Sequence, residues 1–333
     1  MSLASRGVAP GPISLGCAQL GNLHHAISDS TAHEIVEAAH TAGIRHFDTA
    51  PHYGLGLSER RLGSALRGRS RESFVVSTKV GRILEPNLQY RGERDTEGFD
   101  VPATLARRWD FSAEGVRRSI SESLERLGLD RIDLALVHDP EEDLRAPGQA
   151  MREAIPELIR MRRDGIVGAI GVGSKSCDTL AEFVVRSDID AVMIAGRYTL
   201  LNQDALPTLL PECERRSVDV LNAGVFNSGV LATSETTGVR MFDYQAAPDS
   251  IMATVARIAQ VCADFGVTLP RAAVEFAGSH PAIRSRVVGA ENAGQVVGNV
   301  ELFRMPPSPP AMWTRMREEG IIPKVSRTAN LTK

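Results

Sequence analysis

Hydrophobic and polar positions divide the chain into short, almost wholly apolar runs that alternate with longer amphipathic stretches. Residues 13–20 read as a first strand and 31–42 as the helix after it. Thr31 and Glu34 stand at the spacing of a capping box, in which hydroxyl and carboxylate each satisfy a free backbone N–H. Strand-like residues 45–48 are followed by a helical stretch at 59–66. Residues 74–79 lead, after a long polar insertion, to a helix at 112–127. The pattern continues with 132–138 and 150–164, 167–173 and 177–186, then 190–195 and 205–216. A seventh strand at 218–222 precedes helices at 250–265 and 271–278, and an eighth at 285–289 precedes 293–303.

Runs such as LALV and FVVS show no polar alternation, as expected of strands buried on both faces. Eight βα units with no long antiparallel section predict an α/β fold, a closed (β/α)8 TIM barrel. An open doubly wound sheet is the alternative, but it would carry a glycine fingerprint after its first strand. SLGCAQLGNL lacks G-x-G-x-x-G. The expected organisation is one barrel domain over 1–333, with its core at about 13–303 and a tail at 304–333. Two stretches break the short-loop pattern. Residues 84–110 are polar and charged yet contain Tyr90, Phe99 and Trp109, with Phe111 just beyond. A loop of this length is usually functional or disordered. The tail opens with the Pro-rich MPPSPP and then turns amphipathic at 312–320, which fits either a surface tail or a flap near the pocket.

Composition narrows the function. With 38 basic against 41 acidic residues and a net charge of −3, nothing favours nucleic acid or an anionic membrane as partner. Cys17, Cys177, Cys213 and Cys262 form no CxxC pair, which fits reduced thiols in a cytoplasmic protein. No secretory h-region and no apolar run of membrane-spanning length occurs. The sequence is silent on oligomeric state.

Against this background four polar residues stand out. Asp48 ends one apolar segment, Tyr53 follows five residues later, Lys79 closes FVVSTK, and His138 closes IDLALVH. In a β/α barrel the C-terminal strand ends converge on one face, so these residues would meet there. A tyrosine is a poor acid or base near neutrality until a neighbouring ammonium favours its phenolate. A buried Lys79 needs a counter-charge, which Asp48 can supply, and His138 can hydrogen-bond the same substrate oxygen. A loop aromatic, a rim ion pair or a strand-end cap would explain any one of them. Their coincidence at successive strand ends favours proton transfer at a carbonyl oxygen.

HFDTAPHYG-LGLSERRLG, VVSTKVGR, SLERLGLDRIDLALVHDP and GAIGVGSK resemble successive motifs of the aldo-keto reductases, from Leu15 to about Phe303. The resemblance implies a (β/α)8 barrel binding NAD(P) across its C-terminal face. It makes Tyr53 the general acid/base, Lys79 and Asp48 its tuning pair, and His138 the residue that positions the carbonyl. CAQLGNL, FDVPATLARRWDFSAEGVRRS, AGRYTLLNQ and AGVFNSGVLA resemble one branch of that family, the dehydrogenases of aldoses (L-fucose and D-threo-aldose type) and of pyridoxal. Members of that branch oxidise a cyclic hemiacetal to a lactone. Asn202 and Lys175 depart from the pattern, standing where the family carries Asp and Asn.

By the same resemblance, AGVFNSGVLA is the loop around the pyrophosphate, with Gly224, Phe226, Asn227, Ser228, Gly229 and Leu231 as cofactor contacts. Gly289, Glu291, Gln295 and Asn299 fall in the adenosine-binding segment. NADP-dependent relatives place Lys or Arg there, whereas Glu291 would accept a bond from a ribose hydroxyl and repel a phosphate. NAD is therefore expected, with NADP left open by Arg284 and Arg286 nearby. His52, Tyr90, Trp109 and Phe111 are the candidate substrate contacts, although Trp109 and Phe111 fit the core beside the third helix equally well. His24, His25 and His52 read as pocket wall and no metal is expected. Gly54, Gly56 and Ser58 read as a turn with Ser58 opening the next helix. The expected function is oxidation of an aldose, or of pyridoxal, at C1 or its equivalent. The alternatives are a general NADPH-dependent aldehyde reductase and, in a different class, a cofactor-binding regulatory subunit.

Overall fold

The computed structural model describes residues 2–146, 148–233, 240–243 and 245–323. Among these the strands in chain order are β1 Ile13–Gly16, β2 His46–Asp48, β3 Val75–Val80, β4 Arg82–Pro86, β5 Leu105–Trp109 and β6 Ile132–His138. They continue as β7 Val167–Ser174, β8 Ala191–Ala195, β9 Asp219–Ala223, β10 Met241–Phe242, β11 Gln245–Ala246 and β12 Ile283–Gly289. Eight of them close a parallel barrel in the order β1-β12-β9-β8-β7-β6-β3-β2, as the eight-unit pattern predicts. The helices are α1 Asp29–Thr41, α2 Leu57–Leu66, α3 Ala113–Leu127, α4 Ile155–Arg163 and α5 Cys177–Arg186. The second half adds α6 Leu209–Arg216, α7 Asp249–Asp264, α8 Leu269–Phe276, α9 Ala293–Arg304 and α10 Pro310–Glu318.

Strand alternation sorts the side chains into two cores. Outward residues such as Phe47, Val76, Val137 and Val172 meet the helices in one large cluster. Inward residues Leu134, Leu136, Ala169, Ala191, Met193, Leu221 and Val287 fill the barrel itself. Leu3 plugs the floor: it is fully buried in this inner cluster, and its N–H donates to Asp219 Oδ2 at 2.7 Å.

Several boundaries move for identifiable reasons. The Thr31–Glu34 capping box does not form, because α1 starts earlier. Ser28 is the N-cap and accepts from the Thr31 N–H at 3.0 Å, while Glu34 accepts from the Ser30 hydroxyl. β1 stops at Gly16, and residues 18–21 form a 3-10 turn into the barrel mouth. Helix α2 begins at Leu57 with Gly56 in the left-handed region, so Ser58 is not its cap. The Ser58 hydroxyl is instead buried against Cys17 O at 2.7 Å and Thr49 Oγ1 at 2.8 Å.

The polar insertion is ordered. β4 and β5 pair antiparallel from Arg82↔Trp109 to Pro86↔Leu105, and the connecting chain bridges to the loop after β1 through Leu23↔Phe99. Leu55, Leu84, Phe99 and Val101 bury a small third core here, with Tyr53 packed against it. The C-terminal segment through residue 323 is neither a loose tail nor a flap. α10 buries Met312, Trp313 and Met316, with Trp313 tilted against Phe276 of α8 at 6.4 Å. Residues 324–333 of the expected tail lie outside the described residues.

Candidate active site

Residues 48, 53, 79 and 138 meet at the C-terminal mouth of the barrel. Asp48 and Lys79 are inward-facing near the ends of β2 and β3, each 3% exposed, and Lys79 Nζ lies 2.8 Å from Asp48 Oδ2. The ammonium also donates to Thr49 O at 2.9 Å. The other carboxylate oxygen of Asp48 accepts from the Ser77 hydroxyl at 2.7 Å. Lys79 Nζ stands 4.7 Å from the centre of the Tyr53 ring. Burial disfavours the ammonium, but the Asp48 carboxylate and the Tyr53 side chain outweigh it and push the Lys79 pKa up. An ammonium is thus held beside the Tyr53 ring.

Tyr53 is aimed by backbone contact. The loop after β2 touches the loop after β1 so closely that a Cβ on Gly54 (φ +61°) would stand 2.2 Å from Gly21 O. A Cβ on Gly21 would come within 2.6 Å of the Tyr53 carbonyl carbon. Only glycine fits this crossing. Below it, buried Glu59 accepts from Thr78 Oγ1 at 2.7 Å and from Arg126 Nε at 2.6 Å, tying α2 to β3 and α3.

His138 closes β6 and faces Tyr53 edge-on, ring centres 6.2 Å apart, and His52 at 5.6 Å. Burial pushes His138 well below its usual pKa, with the cations Arg82 and Lys79 acting the same way. Burial and the same kinds of neighbour take His52 down to about 2. Both rings are therefore neutral near pH 7, so His138 is available as a neutral hydrogen-bonding group and not as an imidazolium.

Arg82, Arg107 and Asp139 at the mouth were not singled out in the sequence, and Phe99 was named only as an aromatic of the insertion. Arg82 donates to Asp139 Oδ2 at 2.7 Å and Glu142 Oε2 at 3.0 Å, and its guanidinium lies 4.2 Å over the Trp109 ring. Arg107 forks onto Asp95 at 2.6 and 3.0 Å and donates to His52 O at 2.9 Å. Phe99 lies 5.2 Å from His52 and 5.9 Å from Tyr53. Asp139, left-handed at φ 42°, places Oδ2 3.4 Å from His138 Nε2. Burial raises its pKa to about 6 against the lowering effect of Arg82. Arg82 and Asp139 sit next to recognised residues, but their pairing across 57 positions is not written in either local segment.

The other expected contacts divide. His52 lies at the mouth. Trp109 is engaged by Phe111 at 5.7 Å as well as by Arg82, and Phe111 is 1% exposed within the outer core. None of the ring contacts among the described residues joins Tyr90 to Tyr53, His52 or His138. His24 donates its N–H to Gly98 O, and His25 Nε2 lies 3.4 Å from Gln19 Nε2.

Gly224 (φ 64°), Asn227 (45°), Ser228 (57°) and Gly229 (96°) form a left-handed turn beside the end of β9. Its Gly229 N–H is spent inside the turn, on Phe226 O at 3.0 Å, and Leu231 is fully buried, so its side chain belongs to the core. Asn227 Oδ1 is buried without a hydrogen-bond partner, and a Cβ on Gly229 would meet nothing within 4 Å. The open space at the left-handed Gly229 leaves room for a ligand such as a dinucleotide to approach the backbone of this turn. At the eighth strand the Glu291 N–H donates to Gln295 Oε1 at 2.8 Å, and Asn299 Nδ2 donates to Gly289 O at 3.2 Å. Arg284 and Arg286 are committed elsewhere. Arg284 Nη2 lies 3.1 Å from Asp219 Oδ1, and Arg286 stacks on Phe303 at 4.3 Å.

Residues 12–319 match the Aldo/keto reductase family. The chain belongs to that family. Such a member is an NAD(P)-dependent oxidoreductase. The chain is 45% identical to a D-threo-aldose 1-dehydrogenase from Pseudomonas sp over 96% of its length and 97% of the relative's. It is 33% identical to a pyridoxal 4-dehydrogenase from Microbacterium luteolum, over 96% and 97%. An aldo-keto reductase from Bacillus halodurans in its holo form superposes with TM-score 0.71 at 22% identity, covering 96% of this chain and 95% of that one. A glycerol dehydrogenase from Gluconobacter oxydans gives 0.72 at 23%, covering 95% and 94%. These solved structures agree in the barrel fold.

Proposed function

We propose that this aldo-keto reductase oxidises the cyclic hemiacetal of an aldose, of the L-fucose or D-threo type, at C1 to a lactone. The observation that carries the reading is the buried Asp48–Lys79 pair held against the Tyr53 ring, with neutral His138 facing the same phenol. The bound nicotinamide supplies the hydride acceptor for the anomeric C–H. Tyr53, as the phenolate beside the Lys79 ammonium, takes the proton from the anomeric hydroxyl. His138 donates a hydrogen bond to that oxygen and so fixes which C–H is presented. As the oxygen's proton leaves and the hydride departs, the C1–O bond becomes the lactone carbonyl. Raising the pH populates the Tyr53 phenolate, so oxidation accelerates above neutrality.

Two features favour a sugar over pyridoxal. The Arg82–Asp139 ion pair makes the mouth polar, and the Trp109 ring that a pyridine would stack on is already covered by Arg82 and Phe111. The 45% identity to an aldose dehydrogenase points the same way. Gly224, Phe226, Asn227, Ser228 and Gly229 would hold the pyrophosphate side of the cofactor, and Gly289, Glu291, Gln295 and Asn299 the adenosine. With no Lys or Arg between 289 and 299, and with Arg284 and Arg286 occupied, NAD is preferred to NADP. NADH formation across a panel of aldoses and pyridoxal, at pH 7 and 9 with NAD and NADP, tests this. The expected result is NAD-linked turnover of L-fucose-type sugars, faster at pH 9. Turnover of pyridoxal alone, or tighter binding of NADPH than NADH in a fluorescence titration, overturns the corresponding half.

A further inference from the structure

Beneath Asp48 a chain of polar side chains continues into the barrel and belongs to none of the roles above. Ser285 Oγ lies 2.6 Å from Ser14 Oγ, Ser14 Oγ 2.7 Å from His46 Nδ1, and His46 Nε2 2.9 Å from Ser77 Oγ. Ser77 Oγ in turn is 2.7 Å from Asp48 Oδ1. Ser14, His46, Ser77 and Ser285 are all completely buried.

Counting hydrogens fixes the direction of every bond. Asp48 faces the Lys79 ammonium as a carboxylate and can only accept, so the single Ser77 hydroxyl hydrogen is spent on it. Ser77 must then accept from His46, which puts the imidazole hydrogen on Nε2. Burial takes His46 down to about 4, with Asp48 opposing and Lys79 assisting, so the ring is neutral and Nδ1 is bare. Nδ1 accepts from Ser14, and Ser14, its hydrogen used, accepts from Ser285. The sequence of donation is Ser285 to Ser14 to His46 to Ser77 to Asp48. All four donors point toward the carboxylate, and the far end is sealed. The chain is therefore an anchor for Asp48 and not an exit for the substrate proton.

We propose that His46 is a positioning residue of the reaction, acting through Ser77 to hold Asp48 in the rotamer that keeps Lys79 against Tyr53. The proposal rests on Tyr53 being the proton acceptor but not on which substrate is used. Gln can place an amide N–H near the position of Nε2, whereas Asn places its amide near Nδ1, so the two variants separate the donor function from volume.

The test uses the full-length protein with NAD and the best substrate of the panel. Ser77→Ala and His46→Leu are each expected to lower kcat about tenfold or more, since small misplacements of reacting groups cost that much. KM and NADH affinity stay unchanged. The double variant is expected to be no slower than the worse single one, because both cut the same connection. His46→Gln keeps kcat within a few-fold of the parent and His46→Asn does not. Ser77→Ala removes only one oxygen atom, so it carries the test if His46→Leu does not fold. Wild-type kcat in Ser77→Ala, multiplying losses in the double variant, or equal effects of Gln and Asn overturn the proposal.

A second readout needs no substrate. Phenolate absorbance, corrected with Tyr53→Phe, should show the Tyr53 midpoint rising in Ser77→Ala, because a displaced Lys79 stabilises the phenolate less. A shifted midpoint in a protein that turns over no sugar counts against the aldose reading alone. An unshifted midpoint in a protein that does oxidise sugars counts against the anchoring role alone.

Discussion

The inside of the barrel is two different materials. Along β12, β1, β2 and β3 the inward positions include Ser285, Ser14, His46, Asp48, Ser77 and Lys79, joined by hydrogen bonds, with Val287 as an aliphatic neighbour. Along β6 to β9 they are mainly Leu134, Leu136, Ala169, Ala191, Met193 and Leu221, joined by contact, with Asp219 at the floor bonded to Leu3. The polar arc must satisfy each buried donor and acceptor or lose about 1–3 kcal/mol per orphan, so its geometry is fixed atom by atom. The aliphatic arc needs only volume and tolerates repacking. The proposed tuning pair, Asp48 and Lys79, therefore stands on the arc whose side chains have one arrangement. The aliphatic arc contributes His138 at its rim and otherwise supports the wall.

Substitutions on the two arcs should fail in different ways. The largest effect belongs to Tyr53→Phe, which removes the proposed base. Sugar oxidation should fall about a thousandfold or more while NADH binding persists, as read by steady-state rates and fluorescence titration. Intact oxidation in this variant would sink the proposed role. Next, Lys79→Met leaves Asp48 as a buried unpaired carboxylate and should cost about 3–5 kcal/mol of stability in urea melts. Adding Asp48→Asn should return much of that stability without restoring turnover. If the double variant is less stable than the single one, the pair is not the stabilising unit assigned to it.

On the aliphatic arc, Leu136→Ala should cost about 2–5 kcal/mol, yet the folded protein should keep kcat within a few-fold of the parent. A kcat loss comparable to that of Tyr53→Phe would erase the distinction between the arcs.

The mildest test is acid. His46, His52 and His138 have depressed folded-state pKa values, so below about pH 6.5 the unfolded chain takes up protons that the folded one refuses. Stability is full above that pH and falls as pH drops toward the folded values. Asp139, raised to about 6, acts in the opposite sense by one proton. The net of two protons predicts a loss of about 3 kcal/mol per pH unit just below pH 6. Chemical denaturation at pH 7, 6 and 5 measures it, and a flat profile would mean that these rings are not buried and neutral.

Legibility followed the range of the physics. Asp48, Lys79 and His138 could be found because each is a polar residue ending an apolar strand, and strand ends of a barrel share a face. Tyr53 could be found by its fixed distance from Asp48. The place of Arg82 and Phe99 could not, because they reach the mouth through a hairpin whose pairing, Arg82↔Trp109 to Pro86↔Leu105, spans a stretch that reads as loop, and Asp139 gains its role only by pairing with Arg82. Phe111 fitted pocket and core equally by its place in the chain, and the tertiary structure puts it in the outer core. Ser58 looked like a helix cap, and the approach of α2 to the mouth gives its hydroxyl to Cys17 and Thr49 instead.

By itself the sequence determined the eight-unit barrel and the identity and common face of the four central polar residues. These follow from periodicity and strand ends, which are local. The tertiary structure alone decided which hydroxyl donates to which acceptor, that Trp109 is covered and that His46 is tied to Asp48. The physical reason is that a hydrogen bond specifies two atoms within about 3 Å. Ser285 and Ser14, 271 positions apart in the chain, reach that separation only when β12 and β1 close the barrel.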